Sequence, residues 1–105
     1  MKTIKLTDER LIGIEEIPYF ITEIGINHNG SFETACRLID MASDIGVDCV
    51  KFQKRDFENT IISEYLDKPY VHGNSFGSTY REHKISIEFS VSQLLELAKY
   101  ADDKN

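Results

Sequence analysis

The sequence predicts an α/β fold preceded by a short β-hairpin, and three observations carry that prediction. Two segments rich in β-branched and aromatic residues, "YFITEIG" (19–25) and "VDCVKFQ" (47–53), flank a stretch whose apolar residues recur at helical spacing. Strand, helix, strand in so short a span is a βαβ unit, with parallel strands and a right-handed crossover. A second helix signal, "FSVSQLL" (89–95), follows after a long irregular excursion.

The elements follow in order. Ile4 and Leu6, then Ile12 and Ile14, alternate around the polar break "TDER", which reads as a hairpin over residues 1–18 closed by Pro18. After the first strand, "NHNG" supplies residues that tolerate positive φ in a tight turn. Ser31 caps the first long helix, and Glu33 suits the positive end of its dipole. Ala35, Leu38, Ile39, Ala42 and Ile45 form its buried stripe, and Gly46 ends it in a left-handed conformation. Residues 54–89 show weak patterning: "FENTIISEYL" suits a short helix, "DKPYVHGNSFGSTY" an irregular loop, and "YREHKISIEF" a helical turn or two. Loops this long in compact domains are usually functional. Ser90 and Gln93 then form a capping box, stapled by Phe89 and Leu94, and Leu94, Leu95, Leu97, Ala98 and Ala101 give the buried face of the last helix. Two parallel strands leave both sheet edges open, so the chain reads as the opening part of a larger α/β fold.

With 105 residues, 41% hydrophobic and 29% charged, the composition is that of a soluble globular chain. A net charge of −6 argues against nucleic-acid or anionic-membrane partners. No apolar run approaches the ~20 residues of a membrane span. Charges interrupt "MKTIKLTDERLIG", so no signal-peptide core is expected there and a cytoplasmic location is. Cys36 and Cys49 lack metal or redox spacing and read as buried small apolar groups.

Chemistry is expected beyond the carboxyl ends of parallel strands. Glu23 closes the first strand there, and Lys51 and Gln53 close the second. Residues two apart share a face, so Lys51 and Gln53 point together, while Val50 and Phe52 point to the helices. A lysine facing an interior needs an anionic partner. An anionic ligand and an ion pair with Glu23 both meet that need, and an exposed strand end removes it. His28 reads as a hydrogen-bonded loop histidine, since no second ligand stands at metal spacing; no metal ligands are assigned. His72 and His83 read as surface or loop residues, and "KRD" (54–56) as a solvated loop or an anion clamp. No glycine-rich phosphate loop is present.

"EIGINHNG" followed by "LID…GVDCVKFQKR" and "FGSTYREHK…EFS" closely resembles the start of the sialic acid synthases, the N-acetylneuraminate synthase family. The resemblance runs from about Tyr19 to Asp103. It implies the amino-terminal fragment of a (β/α)8 TIM barrel: residues 1–18 as the hairpin plugging the barrel's bottom, residues 19–105 as its first two βα units. It also implies condensation of phosphoenolpyruvate with N-acetylmannosamine or its 6-phosphate, releasing phosphate. By the same resemblance Glu23 is the strand-end acid in the sugar pocket, Lys51 the phosphoenolpyruvate-binding lysine, Gln53 the glutamine beside it, and Asn74 a loop contact to the sugar. The implied cofactor is a divalent metal, Mn2+ or Mg2+, whose ligands lie on later strands, and the complete enzyme is expected to be a homodimer. Retention of "EIG" and "KFQKR" favours the neuraminate or legionaminate side over the pseudaminate branch. The 105 residues alone are then expected to be inactive. Two other readings stand beside this one: a non-catalytic anion-binding or subunit-pairing fragment, and the start of a Schiff-base aldolase barrel using Lys51.

Overall fold

In the computed structural model, which describes residues 2–104, the predicted hairpin and βαβ unit are both present. Strands β1 (Ile4–Lys5) and β2 (Leu11–Ile12) pair antiparallel, Ile4 opposite Ile12. Arg10 anchors the hairpin's exit by donating to the carbonyls of Ile17 (3.1 Å) and Pro18 (2.8 Å).

Strands β3 (Ile21–Gly25) and β4 (Cys49–Phe52) run parallel, joined by helix α1 (Phe32–Asp44). Both strands are shorter than their sequence pattern. The two segments already meet one residue before each strand, but there the Asp48 carboxylate takes the Phe20 amide (2.8 Å), while the amides of Asp48 and Cys49 both donate to the Phe20 carbonyl (3.1 Å each). A side chain there does what a ladder bond would. At the other end a register shift between Glu23 and Gly25 places Gly25, at φ +58°, opposite Phe52. Among the described residues no third strand pairs with either outer edge.

Helix α1 starts as expected, with the Ser31 hydroxyl accepting from the Thr34 amide (3.1 Å). Ala35, Ile39 and Ala42 are buried along it. Ile45 departs from the expected stripe: it is the C-cap, 76% exposed, because the chain has already turned toward the left-handed Gly46 at φ +76°.

The excursion holds more helix than its pattern indicates. Two single-turn helices, α2 (Phe57–Thr60) and α3 (Ser63–Leu66), bury Phe57 and Leu66. Helix α4 (Tyr80–Ile87) begins with a full capping box, Thr79 with Glu82. The last helix, α5 (Val91–Asp102), has the predicted Ser90–Gln93 box. Leu97 is its buried residue, but Leu95 (67% exposed) and Ala98 lie on the solvent side, because only a narrow stripe meets α1.

The core is small. Ile24, Ala35, Ile39, Phe89 and Leu97 form its buried centre, with Val50, Phe52 and Leu94 packed against it. Val50 and Phe52 thus face the helices, as strand alternation requires. Beside β4 on that side an open cleft of ≈ 680 Å³ is lined by Ile39, Ala42, Val50, Phe52, Leu97 and Ala101 among others. Cys36 and Cys49 are free and only half-buried, not fully buried as expected.

Candidate functional site

The parallel register sets Glu23 directly opposite Lys51 at the carboxyl ends of β3 and β4. Their side chains leave the sheet on the same face, away from the helices, and form an ion pair. Lys51 is about half exposed, on a face of this two-stranded sheet that is open to solvent, and of the readings the sequence left open the ion pair with Glu23 is the one formed here. An ion pair so exposed contributes little to stability, typically under ~1 kcal/mol. A weakly held ammonium beside a carboxylate can exchange its partner for an incoming anion.

Gln53 lies just past β4, its amide donating to the Gly25 carbonyl (3.4 Å) and its side-chain oxygen accepting from the Arg55 guanidinium (3.1 Å). The "KRD" segment clamps a carboxylate of the protein itself: Glu88 accepts from Lys54 Nζ (2.8 Å) and from the Arg55 amide (2.9 Å). Asn74 is exposed at the tip of the 70–78 loop and makes no hydrogen bond among the described residues. Nothing joins it to the Glu23–Lys51 pair.

Sequence reasoning read His28 as a loop histidine with a hydrogen bond, and its Nδ1 does accept from the Gly30 amide (3.0 Å). What it missed is that His28 is buried, stacked on Phe89 with ring centroids 3.9 Å apart. The turn just beyond the sheet is thereby fixed to the start of α5. The sequence signal was the short "NHNG" turn, but the stacking partner lies 61 residues away (89 − 28). Lys84, buried on α4 with its ammonium 5.0 Å from the Tyr80 ring centre, was also missed.

Burial pushes the His28 pKa below its ordinary value, and Glu88 offsets part of that. A histidine with a lowered folded-state pKa contributes stability that is complete above the unfolded value of ~6.5 and lost as pH falls through the folded one. Thermal melts should therefore show stability falling below about pH 6.5, by at most ~1.4 kcal/mol per pH unit for this group. His28→Asn, which keeps an acceptor for Gly30 but does not titrate, should flatten that slope; an unchanged slope would place the effect elsewhere.

Among the described residues no group of three or more His, Cys, Asp or Glu side chains is arranged to hold a metal ion. Among those residues no helix is long and apolar enough to cross a membrane.

The NeuB family profile matches residues 38–105, the greater part of the chain. The chain belongs to the NeuB family. This NeuB-family chain is 41% identical over 100 residues to N-acetylneuraminate-9-phosphate synthase of Homo sapiens, covering 95% of itself and 28% of that relative. It is 42% identical over 87 residues to the Drosophila melanogaster enzyme of the same name, covering 83% and 23%. Among solved structures it resembles the N-acetylneuraminic acid (sialic acid) synthetase of Leptospira borgpetersenii, at TM-score 0.71 and 26% identity, over 99% of this chain and 32% of that one. The Bacillus subtilis spore coat polysaccharide biosynthesis protein SpsE gives TM-score 0.65 and 27% identity, over 98% and 25%. The chain therefore spans about a quarter to a third of the proteins it matches, and its α/β fold is that of their corresponding segment.

Proposed function

We propose that this chain is the opening portion of a sialic acid synthase barrel, with residues 1–18 as the preceding hairpin and residues 19–105 as the first two βα units of a (β/α)8 fold. The reaction is condensation of phosphoenolpyruvate with N-acetylmannosamine or its 6-phosphate, with release of phosphate. Identity of 40–42% to three animal N-acetylneuraminate-9-phosphate synthases favours the phosphorylated sugar. The observation that carries the reading is the pairing of Glu23 with Lys51 at the strand ends, on a face the helices leave open.

In this reading Lys51 lets go of Glu23 and binds the anionic groups of phosphoenolpyruvate, which orients the enol carbon toward the sugar aldehyde. Glu23, so released, accepts hydrogen bonds from sugar hydroxyls. Gln53 lies beside the bound anion and Asn74 reaches the sugar from the loop. A divalent cation, Mn2+ or Mg2+, supplies Lewis acidity when bound; among the described residues no cluster of side chains assembles a site for it, and the roles above are those of the chain's own side chains. The working enzyme is a cytoplasmic homodimer, and the 105 residues alone do not turn over.

Phosphorus-31 spectra of phosphoenolpyruvate titrated with this chain test the site. Binding should shift the phosphate resonance, and Lys51→Met should remove the shift; binding indifferent to that substitution would sink the assignment. Adding N-acetylmannosamine 6-phosphate and Mn2+ should release no phosphate above a protein-free control, and turnover would show that the site is complete without further chain.

A further inference from the structure

Residues 70–78 form a loop with a closed neck. Pro69 and Thr79 make an isolated antiparallel bridge, the Tyr70 amide donates to the Ser78 carbonyl (2.9 Å), and the Tyr80 amide to that of Lys68 (3.2 Å). The returning limb is docked on α4. Ser86 Oγ lies 2.9 Å from the Phe76 carbonyl and 2.8 Å from that of Glu82, its one proton shared between them, and the Ser78 amide and hydroxyl both donate to the Glu82 carboxylate (2.7 Å each). Between these contacts the Phe76 amide donates to His83 Nδ1 (3.2 Å), and the imidazole packs against Tyr70 (centroids 4.7 Å apart) and Phe76 (6.0 Å). The tip carries Asn74 and is spanned by one bond, from the Ser75 amide to the His72 carbonyl (3.0 Å).

We propose that His83 is a positioning residue: its neutral imidazole latches the 70–78 loop to α4 and so holds Asn74 in place, and protonation releases the loop. That Asn74 touches sugar rests on the function proposed above; the latch does not. The chemistry is a matter of one lone pair. Neutral imidazole offers Nδ1 as an acceptor, whereas imidazolium has a proton on each nitrogen and sets N–H against N–H. The groups facing His83 are His72 and Tyr70 from the loop and Lys84 and Tyr80 from α4. None is a carboxylate that would stabilise the cation, and the Glu82 carboxylate is taken by Ser78 and Thr79. Burial first, then the positive charges of Lys84 and His72, lower the pKa of His83. The latch is thus fully made above the pKa of the released imidazole, ~6.5, and is lost as pH falls through that of the docked one.

Amide exchange by NMR, expressed as protection factors, reads the latch directly. Protection at the Phe76 amide should drop by up to ~10-fold per pH unit below about pH 6.5, with a midpoint matching the His83 titration in the same sample. His83→Asn, whose amide oxygen takes the place of Nδ1 as acceptor, should keep the loop protected at both pH 7.5 and pH 5.5. His83→Phe keeps a ring but no acceptor and should leave Phe76 unprotected at both, with the amides of α5 unchanged. A Phe76 protection independent of pH, or an opening midpoint that differs from the His83 titration, would overturn the latch. Phosphoenolpyruvate binding at Lys51 should be the same in His83→Phe, so a failure of the synthase reading registers separately from a failure of this one.

Discussion

Lys51→Met is expected to weaken phosphoenolpyruvate binding by roughly 10- to 150-fold while leaving the melting temperature nearly unchanged. The range follows from the ~1.5–3 kcal/mol carried by a hydrogen bond to a charged group, at ~1.4 kcal/mol per tenfold. Methionine keeps a flexible apolar stem of similar length and loses only the ammonium. Stability should hold because the pair with Glu23 is about half exposed on both sides. The companion change has the opposite sign: Glu23→Gln removes the carboxylate that competes for Lys51, so phosphoenolpyruvate should bind somewhat more tightly. Calorimetric titration of both variants decides the matter. If Lys51→Met lowers the melting temperature by several degrees and leaves binding intact, the pair is a structural tie.

Gly30→Ala is expected to destabilise the chain by roughly 2–5 kcal/mol, the sum of a left-handed backbone cost and steric overpacking. Gly30 sits at φ +79°, and a Cβ there would overlap the carbonyl oxygen of Ser86 on α4. That obstacle is backbone and has no rotamer through which to yield. Gly46 is the built-in control, since it has a similar φ of +76° but nothing within 4 Å of an added Cβ. Gly46→Ala should therefore cost only the conformational part, about 1–2 kcal/mol. Urea unfolding of both variants gives the comparison directly, and equal costs would show that the close approach of Gly30 to α4 does not matter.

The parts of the fold legible in the sequence are those set by neighbours in the chain. The caps at Ser31 and Ser90, the left-handed Gly46 and the strand alternation that sends Val50 and Phe52 inward depend on residues a few positions apart. Strand alternation put Lys51 on the face opposite Val50 and Phe52, but which group would answer its charge stayed open among an anion, Glu23 and solvent, because alternation within a strand does not set the register between two strands. What was not legible depends on distant partners. Leu95 has the same chemistry as Leu97, but α1 covers only the latter, and no local pattern reveals how wide a helix's covered stripe will be. The excursion between residues 54 and 89 looked irregular because α2 and α3 are single turns, too short to show a period. His83 read as an ordinary surface or loop residue, yet it lies on α4, half-buried against a loop whose rings sit up to 13 residues before it (83 − 70). His28 gave away its turn but not its stacking on Phe89.

The open face that carries Lys51 also sets how strongly that residue feels a negative charge. Two unit charges 4 Å apart attract by ~1 kcal/mol in bulk water and by ~4 kcal/mol where the effective dielectric constant is near 20. Lys51, half bathed in solvent, stands near the weak end of that scale. Whatever sheds water from the polar side of β3 and β4, whether sugar, anion or polypeptide, strengthens every Coulombic contact made there without moving a single atom of the ammonium.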